Sequence, residues 1–417
     1  MRNIEFFRDK RITVVGLASS GFSCANLLHD LGSRVSVTDN KDDAPVRCLA
    51  KKLKDKNIFV ETGKHSKDLI QKSDLLVLSP GVTPVSQPVL WAKEKNIPAI
   101  SEIEVGWMLC DASIIAVTGS NGKTTVTTLI GKIIEASSRR VFVCGNIGTP
   151  FTSLVKKMRP EDFVSLEVSS FQLESCYNFR PKIALILNFN RNHLDRHKDM
   201  REYLEAKKRI FINQGPSDYL VLNSKDKLLK KVSKSALSEI VWYEPDGKLN
   251  PNQQAVIKVG ELLGIARKTC LKVFSAFKGL AHRMEFVAKK KGVSFINDSK
   301  ATTVESCVWA LRNINSDVVL IAGGKDKGVD YGLMLKEAAG KVRLAVLIGE
   351  AKDKIRRCIF KKIPVIEASS MRDAVVKAFL NANSGDYVLL SPMCSSFDMF
   401  DNYKQRGEVF KKEVLKL

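Results

Sequence analysis

Long apolar runs are missing from this chain: no stretch approaches the roughly 18 consecutive residues a helix needs to cross a bilayer, and membrane insertion is not expected. The opening stretch MRNIEFFRDKRITVVG runs straight into a strand-like segment with no apolar signal before it, so the expected compartment is the cytoplasm. Nine cysteines are scattered without a single C-x-x-C pair, which argues against a zinc site or a disulfide framework and for reduced, mostly core thiols. Histidine is scarce, at five residues, so few imidazoles are available for chemistry. Acidic residues are also in deficit, 45 against 67 lysines and arginines, which leaves a formal charge of +22. A basic chain of this kind suits nucleic acid, anionic lipid or anionic small substrates. No DNA- or RNA-binding module is recognisable, however, and the cations are spread along the chain as solvated faces would be. Short repeats and low-complexity linkers are absent as well.

What is present is a repeated alternation of strand, polar loop and helix over 417 residues, too many for one core of ordinary size. RITVVG reads as a buried strand, and FSCANLLHDLG as a helix with Phe22, Ala25, Leu28 and Leu31 on one stripe and Gly32 as its stop. SRVSVTD, DLLVLSPGV and IPAIS continue this pattern. A second series starts at SIIAVTGSNGKTT and includes DFVSLEV and KIALILNF; a third runs from VSFINDSKAT through VVLIAGGKDKG and LAVLIGE to YVLLSPMCSSFDMF. The expected fold is therefore α/β in three domains: a Rossmann-like domain over 1–103, a central P-loop ATPase-type domain over 104–280 and a Rossmann-like domain over 281–417.

The stretch AVTGSNGKTT, residues 116 to 125, lies between a strand and a helix that buries Val126, Leu129, Ile130, Ile133 and Ile134. Backbone N–H groups at such a junction converge where the helix N-terminus favours an anion. Gly119 and Gly122 let the backbone approach, Lys123 can reach terminal phosphates, and Thr124 or Thr125 can hold Mg²⁺. A generic phosphate loop would carry glycine where Val117 stands. Glu167, at the end of DFVSLEV, is the best-placed carboxylate for a hard cation, and His193 follows another strand end. In the first domain, Gly16, Ala18 and Gly21 followed by Asp39 mimic a dinucleotide fingerprint. With alanine in the second slot that signal suits the diphosphate of some nucleotide, with Ser19 and Ser20 as extra donors.

Taken together, TGSNGKTT, EVSSFQLE, NHLDRH, AHRMEFV, NDSKAT, GGKDKG and SPMCSSFDMFDNYKQRG occur in an order and over a length that resemble the Mur ligase family. In that family the phosphate loop has the shorter spacing G-x-x-G-K-T, which accounts for Val117. The C-terminal motif resembles the D-glutamate-adding branch. The resemblance implies an ATP-dependent, amide-forming ligase of peptidoglycan precursor synthesis, whose substrates are UDP-N-acetylmuramoyl-L-alanine and D-glutamate. ATP would phosphorylate the alanine carboxylate, and the amine of D-glutamate would displace phosphate from the acyl phosphate.

Residue by residue, the resemblance implies that Gly119, Ser120, Asn121, Gly122, Lys123, Thr124 and Thr125 bind ATP, together with Asn252, Arg283 and Asp298. Thr124 and Glu167 would hold one Mg²⁺, and His193 a second. Lys207 matches a lysine that the family converts to a carbamate, which would supply anionic oxygens to metal where an ammonium would repel it. Ser19, Ser20, Asp39, the turn Ser79 to Gly81, Asn146 and His193 match positions for the UDP-substrate. Thr302, Lys327, Ser396 and Tyr403 match those for D-glutamate, with Lys300 in the same loop as Thr302. Asn192 stands where relatives usually carry aspartate before the metal histidine. The expected state is a monomer that binds no nucleic acid. A basic P-loop ATPase acting on nucleic acid is the competing reading; it accounts for the charge and the loop but not for the C-terminal motifs.

Overall fold

The computed structural model describes residues 1–189, 196–244, 248–326 and 328–417, in two compact units, Met1–Phe277 and Lys278–Leu417. The first unit contains two parallel sheets. One is built from β1 (Arg11–Val15), β2 (Arg34–Asp39), β3 (Phe59–Thr62), β4 (Leu75–Leu78) and β5 (Ala99–Ser101) in the order β3-β2-β1-β4-β5. β1 is therefore the point where the strand order reverses, and ligands of doubly wound sheets collect at the carboxyl ends of such neighbours. Here those ends carry the Gly16 loop and the turn at Ser79.

The other sheet of this unit comprises β6 (Ser113–Thr118), β7 (Val141–Gly145), β8 (Phe163–Glu167), β9 (Ile183–Ile186), β10 (Tyr219–Asn223) and β11 (Glu239–Tyr243), ordered β11-β10-β9-β6-β8-β7. Its central strands β6, β8, β9 and β10 are mostly buried apolar runs, as parallel strands covered on both faces require, while the edge strands β7 and β11 are largely half-buried or exposed. Val126, Leu129, Ile130, Ile133 and Ile134 of the helix Lys123–Ala136 are all buried against it, as the sequence stripe predicts.

The second unit has β12 (Glu285–Lys290), β13 (Val293–Asn297), β14 (Val318–Gly323), β15 (Val342–Ile348), β16 (Val365–Glu367) and β17 (Tyr387–Leu390), ordered β12-β13-β17-β14-β15-β16. All its pairs are parallel except β12 with β13. The three α/β domains match the expected class. Seven of the nine cysteines are buried and all are free thiols. Among the described residues no helix is long and apolar enough to cross a membrane.

One close approach fixes the first sheet's ligand edge. A Cβ on Gly21 would stand 1.9 Å from the Gly16 carbonyl oxygen, so the helix Ser19–Asp30 lies against the β1 loop only because residue 21 has no side chain. Gly81, by contrast, has open space around its Cβ position. Gly21→Ala is expected to lower stability by about 1–3 kcal/mol, while Gly81→Ala leaves the urea midpoint unchanged; equal midpoints for the two variants would remove the packing argument.

Candidate active site

The phosphate loop leaves β6 beside two partners set by register. Val117 pairs with Glu167 of β8, and Thr118 with Ile186 of β9, so the loop, the Glu167 carboxylate and the segment after β9 share one sheet edge. Gly119 and Gly122 take φ of +153° and +81°, the region that favours glycine. Asn188 brackets the loop, its Oδ1 accepting from the Asn121 N–H at 2.9 Å and its Nδ2 donating to the Asn121 carbonyl at 3.1 Å. Lys123 Nζ curls back onto the carbonyls of Gly119 and Ser120, at 2.9 and 3.1 Å. Thr124 is buried and Thr125 half-buried at the start of the helix. Asn252 abuts the loop, since a Cβ on Gly122 would stand 2.5 Å from its Oδ1.

Lys207 lies beneath this loop at 1% exposure, donating from Nζ to Thr118 Oγ1 and the Gly119 carbonyl, both at 3.1 Å. Burial, assisted by the nearby Lys123 charge, drives its pKa well below the usual lysine value, favouring the neutral amine. Tyr203, one helical turn earlier, places its ring 4.7 Å from Nζ and its hydroxyl 3.2 Å from Ser120 Oγ; burial raises that phenol to about 12. Glu167 is 2% exposed. Its Oε1 accepts from Asn146 Nδ2 at 2.7 Å, while Oε2 is buried with no hydrogen-bond donor among the described residues. A buried carboxylate oxygen without a donor is a hard, anionic ligand atom of the kind Mg²⁺ takes. Among the described residues no group of three or more His, Cys, Asp and Glu side chains comes together around a metal position. His193 and Asn192 lie outside the described residues.

At the first sheet, Ser19 and Ser20 open the helix Ser19–Asp30, and Ser79 Oγ donates to the Gly16 carbonyl at 2.7 Å. The Asp39 carboxylate accepts from the Leu17 and Lys41 N–H groups, at 2.6 and 2.8 Å, and so shapes the loop after β1. Sequence reasoning passes over two residues here, Arg196 and Glu174. The Arg196 guanidinium donates to Pro80 O, Val82 O and Glu174 Oε2, at 2.8, 2.8 and 2.7 Å. His197 is also buried, 3.0 Å from Ser170 Oγ, and burial lowers its pKa, so it is held neutral.

In the second unit, β13, β17 and β14 are adjacent, and their ends release NDSKAT, SPMCSSFD and GGKDKG side by side. Lys325 N–H bonds to the Ser395 carbonyl at 3.0 Å, joining two of these loops. Arg406, 1% exposed, donates from Nε to Ser299 Oγ and from its terminal nitrogens to the carbonyls of Ser299, Cys394 and Ser395. Burial lowers this guanidinium to about 10; Arg406 is the arginine of SPMCSSFDMFDNYKQRG, a motif that gave it no role. Ser396 is buried, Thr302, Lys300 and Tyr403 are half-buried, and Lys300 Nζ stands 5.5 Å from the Tyr403 ring. Lys327 lies outside the described residues. Arg283 precedes Met284, whose N–H donates to Asp298 Oδ1 at 3.2 Å, and Asp298 Oδ2 accepts from Ser391 at 3.2 Å.

A phosphate loop with a buried lysine and carboxylate, on a three-domain α/β chain, defines a nucleotide-phosphate-binding protein. The MurD-like N-terminal, Mur ligase middle and Mur ligase glutamate ligase domain models match residues 10–101, 117–265 and 282–394. The chain belongs to the Mur ligase family and is an ATP-dependent ligase. It is 40% identical to a UDP-N-acetylmuramoylalanine--D-glutamate ligase of Geotalea uraniireducens, with 98% of each chain covered. It is 38% identical to one of Koribacter versatilis, again over 98% of each. Two solved structures share the fold: MurC of Thermotoga maritima, at TM-score 0.60 and 16% identity over 98% of this chain and 99% of that one, and MurF of the same organism in complex with ADP, at 0.60 and 15% over 100% and 97%.

Burial pushes the Asp298 carboxyl up to about 7, against the pull of Met284 N–H, Ser391 and Arg283. An unfolded aspartate ionises near about 3.9. The folded group holds its proton to higher pH, so its contribution to stability is full below about pH 4 and is lost as pH rises through about 7. Asp298→Asn is therefore expected to become more stable relative to the parent between about pH 5 and pH 8, read from urea midpoints; a constant difference would show a carboxylate that is already ionised and satisfied.

Proposed function

We propose that this chain joins D-glutamate to UDP-N-acetylmuramoyl-L-alanine through an acyl phosphate, in the cytoplasm and as a monomer. The observation that carries the reading is the pairing, at one sheet edge, of a glycine-rich phosphate loop with a buried lysine amine and an orphaned carboxylate oxygen. The relatives named for this reaction share 36–40% identity over nearly the whole chain. In this reading the domains run over 1–103, 104–280 and 281–417, with the UDP-substrate at the first, ATP at the second and D-glutamate at the third.

Gly119 to Thr125 cradle the phosphates, with Lys123 leaving its carbonyl partners for the terminal phosphate. Asn252, Arg283 and Asp298 contact the nucleotide. Thr124, Glu167, His193 and Lys207 as its carbamate would hold Mg²⁺, two ions in this reading of the site, which would supply positive charge against the transferring phosphoryl group. Lys207 is suited to that modification because a neutral amine can attack carbon dioxide, losing a proton as the N–C bond forms, whereas an ammonium cannot. Ser19, Ser20, Asp39, Ser79, Gly81, Asn146 and His193 hold the UDP-substrate so that its alanine carboxylate oxygen attacks the γ-phosphorus and ADP departs. Thr302, Lys327, Ser396 and Tyr403 orient D-glutamate, whose amine attacks the acyl carbon. The C–O bond to phosphate then breaks, the nitrogen gives up a proton, and an amide remains.

Release of ADP from the purified protein should require UDP-N-acetylmuramoyl-L-alanine and rise further with D-glutamate. Stimulation by single-stranded DNA with indifference to D-glutamate would establish the nucleic-acid ATPase instead. Lys207→Ala should lose at least about a hundredfold in turnover and recover part of it with added short carboxylic acids. Full activity without additive would eliminate the carbamate.

A further inference from the structure

Two of the sequence motifs contain residues that the proposed reaction leaves without a role, Glu174 at the end of EVSSFQLE and Arg196 within NHLDRH, and Pro80 and Val82 flank Gly81 of the turn matched to the UDP-substrate. The structure brings all three together inside the first unit. The Arg196 side chain is 10% exposed and its partner Glu174 9%. The guanidinium donates to Pro80 O and Val82 O at 2.8 Å each and to Glu174 Oε2 at 2.7 Å, and it lies over the Phe171 ring at 4.4 Å. Glu174 follows the helix Ser170–Leu173, which begins three residues after Glu167. Its other oxygen faces His197 Nδ1 at 3.5 Å.

Two peptide planes of the turn are fixed by this contact. In a trans peptide the C=O and N–H point opposite ways, and the chain has no cis bond among the described residues. Pinning Pro80 O and Val82 O on the arginine therefore turns the N–H groups of Gly81 and Thr83 away from it. The turn is open at Gly81, where an added Cβ would meet nothing within 4 Å. Backbone N–H groups turned away from the guanidinium on an open turn suit an anion. The third donor ties the same guanidinium to the segment that carries Glu167.

We propose that Arg196 is a positioning residue that holds the SPG turn with its N–H groups presented to the diphosphate of the UDP-substrate, and that its ion pair with Glu174 sets this turn relative to the phosphoryl-transfer edge. The inference rests on the ligase reading. Lysine cannot replace arginine here, because a single ammonium lacks the planar fork that reaches two carbonyls and a carboxylate together.

The test compares the parent protein, Arg196→Lys, Glu174→Gln and the double variant, measuring calorimetric binding of UDP-N-acetylmuramoyl-L-alanine and of ADP separately, then KM for each substrate. Arg196→Lys is expected to weaken UDP-substrate binding about tenfold or more, with ADP binding and the KM values for ATP and D-glutamate within about twofold. Glu174→Gln should give a smaller shift of the same kind, and the double variant should cost less than the product of the two. Unchanged UDP-substrate binding in Arg196→Lys overturns the proposal, as does an equal loss of ADP affinity, which would mean a merely structural role. If Arg196→Lys does not fold, Glu174→Gln reads the same strut from its other end, and unchanged binding there overturns it. Failure of the parent protein to bind the UDP-substrate would instead remove the ligase reading itself.

Discussion

A lysine amine held out of water beneath a phosphate loop is the constraint around which the first unit is arranged. Charged, Lys207 would need a counter-ion in a site where none of the described carboxylates pairs with it and where Lys123 adds repulsion. Neutral, it is satisfied by Thr118 and the Gly119 carbonyl, and so it also fixes the start of the loop. The glycine conformations at 119 and 122, the bracket from Asn188 and the Ser120–Tyr203 contact all build on that fixed start. Glu167 is the complementary half of the arrangement: a buried carboxylate with one oxygen held by Asn146 and the other left without a donor. Neither group is comfortable alone, and both become useful once a cation and polyphosphate are present.

The parts of this site that were legible in the sequence are those whose chemistry is local. The phosphate loop announces itself because glycine, lysine and threonine must be neighbours in the chain, and Glu167 because it terminates an apolar strand. The doubly wound sheets follow from apolar runs ending in polar loops. Lys207 is different: its sequence surroundings, EYLEAKKRIF, are those of an exposed helix, and only the family resemblance distinguishes it from Lys208. β12 was not anticipated, since its alternation is interrupted by a bulge between Phe286 and Ala288 and Phe286 is 60% exposed. Its antiparallel pairing has no counterpart in the strand–loop–helix rhythm from which the rest was read.

Arg196, Glu174 and Arg406 lie within the sequence motifs, yet their roles are not legible in them, for a further physical reason. Each acts on backbone carbonyls or on a distant side chain, and a carbonyl carries no residue type for a pattern to match. Arg196 reaches partners 116 and 114 residues away, and Arg406 reaches Ser299 across 107. The surplus of positive charge made such residues harder still to see, because 67 lysines and arginines hide the few that are buried.

The same device recurs in both units, each considered by itself. In one, a buried guanidinium gathers the carbonyls of the turn after β4; in the other, it gathers those of Ser299, Cys394 and Ser395 from the loops after β13 and β17. Turning carbonyls inward onto a cation does two things at once. It removes the negative ends of peptide dipoles from the ligand side, and it leaves N–H groups to meet anions without a flexible side chain that would have to be immobilised on binding. The planar fork is what makes this possible, because several carbonyls can share one guanidinium at fixed angles, and an ammonium on a flexible stem would leave some of them unmet. For an enzyme whose proposed ligands are phosphates and carboxylates throughout, the buried arginines thus do the positioning, and the exposed lysines that set the net charge need have no part in it.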